Sequence, residues 1–348
     1  MKKRTALVSA GVAAGALAAG VVGRTLWKRH AGGPAGPIGA VPPEDLGRVA
    51  SFDGTQIAVR AAGDPAAPVV ILAHGFSLDA SVWCEVWPSL SRRFRVVTFD
   101  HRSHGASGRA ANGDLSLRAM GRDVAAVLDA VSPERPVVVV GHSMGAMAIL
   151  AMAEQRSELF GPRVAGVGLM GAASSDLLRG AMGSVTELLR PRAGTLQAAA
   201  KRVDGLRRAV LASPVDLSGV VARVTQFGPD ASREVVAHVA ALAQRTASEV
   251  WTDALPGLME MDLRHAVPRI VVPALVMVGE HDRVTPPAAA VALVGQLPQG
   301  RLSVVEGAGH IPMLEHGATV ALELEALATE VLVRPARKQR NRRSEGAA

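Results

Sequence analysis

A serine between two glycines, followed far downstream by a carboxylate and then a histidine, is the arrangement in this 348-residue chain that could do chemistry. The serine is Ser143, in Gly141-His142-Ser143-Met144-Gly145. A neutral hydroxyl is a weak nucleophile; it needs a base within hydrogen-bond reach, held in turn by a third group. Ten histidines compete for the base. His310 closes the turn Gly307-Ala308-Gly309-His310, and Asp282 closes Gly279-Glu280-His281-Asp282, each after an apolar run that reads as a strand. The rival acids are Glu280 and Glu306. Of the rival imidazoles, His142 adjoins the serine and reads as structural. His101 and His104 sit on a loop near the site, and His281 reads as a surface residue. Asp100 reads as a strand-end carboxylate bonded to loop N–H groups.

The elements that must position these groups follow from the apolar spacing. Val137-Val138-Val139-Val140 is a buried strand and the apolar run from Ala146 to Ala153 a helix. Ser143 therefore sits on a very tight turn. Gly141 and Gly145 permit it, because a side chain at either place would collide with the neighbouring strand or helix. The turn also lies at a helix N-terminus, where free N–H groups favour developing negative charge. Upstream, residues 48–52 and 55–61 flank Asp53-Gly54, which predicts an antiparallel hairpin with a two-residue turn. Further strands are predicted at Val69–Ala73, 94–99, Val164–Met170, 270–278 and 302–305. A helix is predicted over 115–131, with Leu117, Met120, Val124, Val127 and Leu128 on one face. Such alternation predicts an α/β domain with a mostly parallel central sheet and helices on both faces. From about 172 to 267 the alternation stops. Helical spacing, as in Val235, Val239, Leu242 and Ala243, predicts an insertion folded as a lid over the carboxyl ends of the strands.

Composition narrows the classes. An apolar content of 49% excludes a disordered chain, and the single cysteine, Cys84, excludes an intrachain disulfide. No His-x-Glu or His-Glu-x-x-His pattern suggests a metal site. The net charge of +7 gathers at Lys2, Lys3 and Arg4 and in a basic tail over 334–348. With no aromatic interleaving and no recognition helix, the tail reads as solvated rather than as a nucleic-acid arm. Residues 5–23 carry no charge and are bracketed by Arg4 and Arg24. Residues 1–29 thus read as a signal anchor or as a signal peptide cleaved at Ala16-Leu17-Ala18, which predicts a membrane-associated or exported protein. A Gly/Pro-rich linker over 30–45 leads into a folded domain over 46–333.

Five pieces in order resemble the α/β-hydrolase superfamily: His74-Gly75-Phe76, the run from Asp100 to Ser107, the Ser143 turn, the Asp282 turn and the His310 turn. The resemblance covers 48–333. It implies a Ser143–His310–Asp282 triad, with Asp282 at the family spacing, and an oxyanion hole from the N–H groups of Phe76 and Met144. It also implies substrate contacts at His74, Gly75, Trp83 and His142, and no cofactor. The implied activity is that of a carboxylesterase or lipase-like enzyme on a small-molecule ester, apolar or lipidic if the N-terminus anchors the chain. Carbon–carbon bond hydrolases, thioesterases and cofactor-free haloperoxidase-like perhydrolases share this triad. A ligand-binding protein that kept the fold and lost turnover is the alternative from another class. A serine nucleophile argues against the epoxide-hydrolase and haloalkane-dehalogenase branches, which attack through a carboxylate. One departure stands out: relatives usually carry glycine where Ser103 stands.

Overall fold

The four valines of 137–140 are wholly buried and run down the middle of an eight-stranded sheet. The computed structural model describes residues 38–175, 201, 204–205 and 217–333. Its strands are β1 (Glu44–Ala50), β2 (Gln56–Ala62), β3 (Val69–Ala73), β4 (Arg95–Phe99), β5 (Val137–His142), β6 (Val164–Met170), β7 (Ala274–Gly279) and β8 (Gly300–Val305). They lie in the order β1-β2-β4-β3-β5-β6-β7-β8. The β1–β2 and β2–β4 pairs are antiparallel and the others parallel. From β3 the chain moves outward to β4, then returns to lay β5 on the other side of β3. This reversal opens a crevice at the carboxyl ends of β3 and β5, where sheets of this kind take their ligands.

Successive side chains of β5 feed two cores. Val137 and Val139 join one with α1 (Leu117–Val131) and α2 (Met144–Gln155); Val138 and Val140 join the other. Residues 144–153 of α2 are all buried, as expected of a helix that is apolar all round. The predicted face of α1 is buried, and Ser116 caps it by accepting from the Ala119 N–H at 3.2 Å. Gly121 lets the two helices touch: a Cβ there would lie 2.7 Å from the Met152 nitrogen. Between β6 and β7 the described residues include α3 (Leu217–Gln226) and α4 (Arg233–Arg245), whose Val235, Val239 and Leu242 are buried. After β7 come α5 (Pro287–Val294) and, after β8, α6 (Gly317–Ala328), which packs on the second core.

Three expectations shift. β1 begins at Glu44, inside the stretch read as linker. Its connection to β2 runs over 51–55, closed by Ser51 N–H to Thr55 O at 2.8 Å, so Asp53-Gly54 sits inside a five-residue loop rather than forming the whole turn. β7 begins at Ala274, because residues 267–269 form a turn of 3₁₀ helix and Pro273 precedes the ladder. Residues 1–29, most of the linker, the basic tail and much of the insertion lie outside the described residues. Among the described residues no helix is long and apolar enough to cross a membrane.

Candidate active site

Ser143 joins β5 to α2 with φ +50° and ψ −115°. Left-handed backbone at a non-glycine residue costs about 1–3 kcal/mol and persists only where the surroundings enforce it. Here they do. A Cβ on Gly141 would lie 2.4 Å from the Ala146 nitrogen, and one on Gly145 2.6 Å from the Ala73 and His74 carbonyl oxygens. The strand, turn and helix are thus in backbone contact, and the serine side chain is driven beyond the sheet edge, though only 9% exposed.

His310 arrives from the loop after β8. Its Nε2 lies 3.1 Å from Ser143 Oγ, and its Nδ1 lies 2.8 Å from Asp282 Oδ2. Asp282 is held in turn: Oδ1 accepts from the N–H groups of Val284 and Thr285, both at 2.8 Å, and Oδ2 from Thr285 Oγ1 at 2.8 Å. Burial pushes this carboxyl up, but His310 and the Thr285 bonds outweigh it and hold it below its ordinary value. The acid is therefore ionised and aimed at the imidazole. Gly171, at φ +55°, floors the pair; a Cβ there would meet His310 Nδ1 at 3.2 Å. The rival acids are elsewhere: Glu280 is exposed and accepts from Gly307 N–H at 3.0 Å, and Glu306 is exposed.

Met144 is the first residue of α2, so its N–H has no partner within the helix. Phe76 follows β3, and its ring meets Trp251 of the insertion edge-on at 4.9 Å. Gly75 brings this loop against the serine: a Cβ there would lie 2.6 Å from His142 Nδ1 and 3.2 Å from Ser143 Cβ. The remaining expected substrate contacts sit behind the site. His74 is fully buried, with Nδ1 2.8 Å from Gly75 O and Nε2 accepting from His101 N–H at 2.9 Å. His142 is buried with Nε2 2.8 Å from His310 O. Burial pushes His74 down to about 4 and His142 to about 3, so both rings are neutral. Trp83 is completely enclosed in the second core, so its indole fills space rather than lining a cleft. His104, also neutral through burial, accepts from the Ser77 N–H at 3.3 Å and so props the Phe76 loop from beneath. Asp100 accepts from the Ala80 and Ala106 N–H groups, each at 2.7 Å, as a strand-end carboxylate should.

Sequence reasoning left three features unread. Ser77, Ser103 and Ser143 all have positive φ, one in each loop following β3, β4 and β5. Ser103, at φ +60°, occupies the conformation that glycine prefers, so the glycine that the resemblance expects would fit there; its Oγ accepts from the Ala110 N–H at 3.1 Å. Arg102 is wholly buried, bonded to both carboxylate oxygens of Asp123 at 2.7 Å and to Asp53 at 3.0 Å, and anchors the loop after β4. Thr285 is visible in sequence only as an ordinary residue three past the acid. A cavity of about 620 Å³ lies beside the Phe76 loop, lined by residues including Asp79, Ser81, His104, His238 and Arg245; neither Ser143 nor His310 lines it.

The arrangement can deprotonate a hydroxyl and stabilise the cation that results, which is the machinery of acyl transfer. The model of the α/β hydrolase fold family matches residues 68–317, and the chain belongs to that family. The chain is 26% identical over 257 residues to the pimeloyl-[acyl-carrier protein] methyl ester esterase of Neisseria meningitidis, covering 72% of this chain and 89% of that one. It is 38% identical over 104 residues to the probable oxidoreductase EphD of Mycobacterium tuberculosis, a match that covers 29% of this chain and only 17% of that protein. Among solved structures, a thermophilic esterase from Thermogutta terrifontis superposes with a TM-score of 0.67 at 22% identity, over 83% of this chain and 99% of the other; that likeness carries the fold.

Proposed function

We propose that the chain hydrolyses carboxylic esters through an acyl-enzyme on Ser143. The reading rests on the line from Ser143 Oγ to His310 Nε2 at 3.1 Å and from His310 Nδ1 to Asp282 Oδ2 at 2.8 Å. Ser143 Oγ attacks the ester carbonyl carbon as its proton passes to His310 Nε2. The carbonyl oxygen, now an anion, is met by the Met144 and Phe76 N–H groups. The bond to the leaving oxygen breaks as His310 returns the proton to it, and the alcohol departs. Water, with His310 again as base, repeats the sequence on the acyl-enzyme and releases the acid. Asp282 keeps the ring oriented and stabilises its cation.

The similarity to a methyl ester esterase supports an ester over the other acyl and carbon–carbon substrates of the fold. The insertion touches both sides of the site, through Trp251 on Phe76 and through Gln226 O, which accepts from His310 N–H at 2.7 Å; this supports its role as a lid. Delivery to a membrane, and with it an apolar ester, rests on the sequence of 5–23 alone. Fractionation of the full chain beside one lacking residues 1–37 tests that part.

The test of the activity is turnover of p-nitrophenyl esters of increasing chain length by wild type and Ser143→Ala side by side. Removing the nucleophile lowers kcat by on the order of 10⁴-fold or more. Equal rates would dispose of the mechanism.

A further inference from the structure

The loop that carries His310 is stitched to the helical insertion at backbone level. A Cβ on Gly309 would lie 2.5 Å from the Phe227 carbonyl carbon, and one on Gly228 would lie 1.9 Å from Gly307 O. Two stretches of main chain touch with no side chain between them. His310 N–H donates to Gln226 O at 2.7 Å, and Arg283, next to the acid, donates to Val224 O at 2.5 Å. Both acceptors are among the last carbonyls of α3, which have no partner inside the helix. One carboxylate closes the joint. Glu315 Oε1 accepts from Gly309 N–H at 2.9 Å, and Oε2 accepts from Gly228 N–H at 2.7 Å. One oxygen holds the residue before the histidine; the other holds the insertion.

We infer that Glu315 is a positioning residue: its carboxylate ties the 307–310 loop to the 226–228 segment, so that His310 meets Ser143 only while the insertion is docked. The inference rests on the triad proposed above. Glu315 touches no reacting atom. Burial pushes it up to about 7, against the pull of the Gly228, Gly309 and Ile311 backbone and of the Arg223 cation on α3. Arg223 reinforces the same joint by donating to Gly228 O at 2.6 Å.

The experiment is hydrogen exchange on the full chain, wild type beside Glu315→Gln, with ester turnover measured on the same preparations. Glutamine keeps the shape and one acceptor but turns an N–H₂ toward the other N–H. Exchange should quicken together in peptides over 226–230 and 306–311, while the Val137–His142 strand is unchanged. kcat should fall about tenfold with KM within about twofold, the scale of one lost hydrogen bond to a charged group. Gly228→Ala, which wedges the joint from the other side, should act alike, and the double variant should be no worse than the poorer single one. Acceleration in neither peptide or in only one, additive losses, or full kcat with both peptides opened would each overturn the inference. The exchange arm needs no substrate, so it decides the point even if wild type proves inert toward esters, a result that would count against the proposed activity instead.

Discussion

The serine half of the site and the histidine–acid half are built in opposite ways. Ser143 is fixed by a contiguous stretch, strand to turn to helix, with buried residues on every side and glycines whose Cβ positions are filled by neighbouring backbone. His310 and Asp282 stand on loops after β8 and β7, the two outermost strands on that side of the sheet. Thr285, three residues on, holds the acid, but the rest of their geometry comes from residues far away in sequence: Gly171 beneath the pair, His142 on the His310 carbonyl and Gln226 on its N–H. Ser143 is therefore set mainly by one contiguous stretch docked on β3 and β6, whereas His310 is set by assembly of the rest of the molecule. Such loops belong to the parts of a fold that open most easily.

The sharpest way to separate the halves is Asp282→Asn. The asparagine can keep the bonds from Val284 and Thr285 yet presents an N–H₂ to the ring, favouring the wrong tautomer. kcat falls by on the order of 10⁴-fold while the thermal midpoint moves little, as steady-state kinetics and calorimetry would record. Arg102→Leu attacks instead the loop after β4, which bonds to His74 through the His101 N–H. It leaves Asp123 buried without its cation and lowers stability by about 3–5 kcal/mol, measurable by denaturant titration, with the loops after β3 and β4 failing together. The smallest effect belongs to Ser103→Gly. Relief of left-handed strain is offset by the flexibility of glycine and by loss of the bond from Ala110, so stability changes by less than about 1 kcal/mol. A large gain there would mean that the Ser103 bond contributes nothing.

The same contrast explains what could be read from the sequence. The Ser143 turn was legible because its requirements lie within about twenty residues: β-branched strand, two glycines, apolar helix. The α/β order was legible for the same reason, element by element. His310 and Asp282 drew notice through their turns, each closing a strand, and through the spacing that the resemblance implies. Their supports did not, because Thr285, Gly171 and Glu315 show nothing unusual in their own neighbourhoods; the one faint signal was a charged residue directly after the apolar run of 311–314. The resemblance implied substrate contacts at His74, Trp83 and His142. In the structure His74 and His142 are buried neutral rings bonded to neighbouring backbone, and the Trp83 indole is enclosed in the second core.

Covalent trapping probes the reactivity of Ser143 itself: treat the full chain with a fluorophosphonate and locate the adduct by peptide mass spectrometry. A single adduct is expected on Ser143, formed rapidly by wild type, absent in Ser143→Ala and slowed on the order of a hundredfold or more by His310→Ala. Labelling of another residue, or equally fast labelling of Ser143 without the His310 imidazole, would contradict the proposed mechanism.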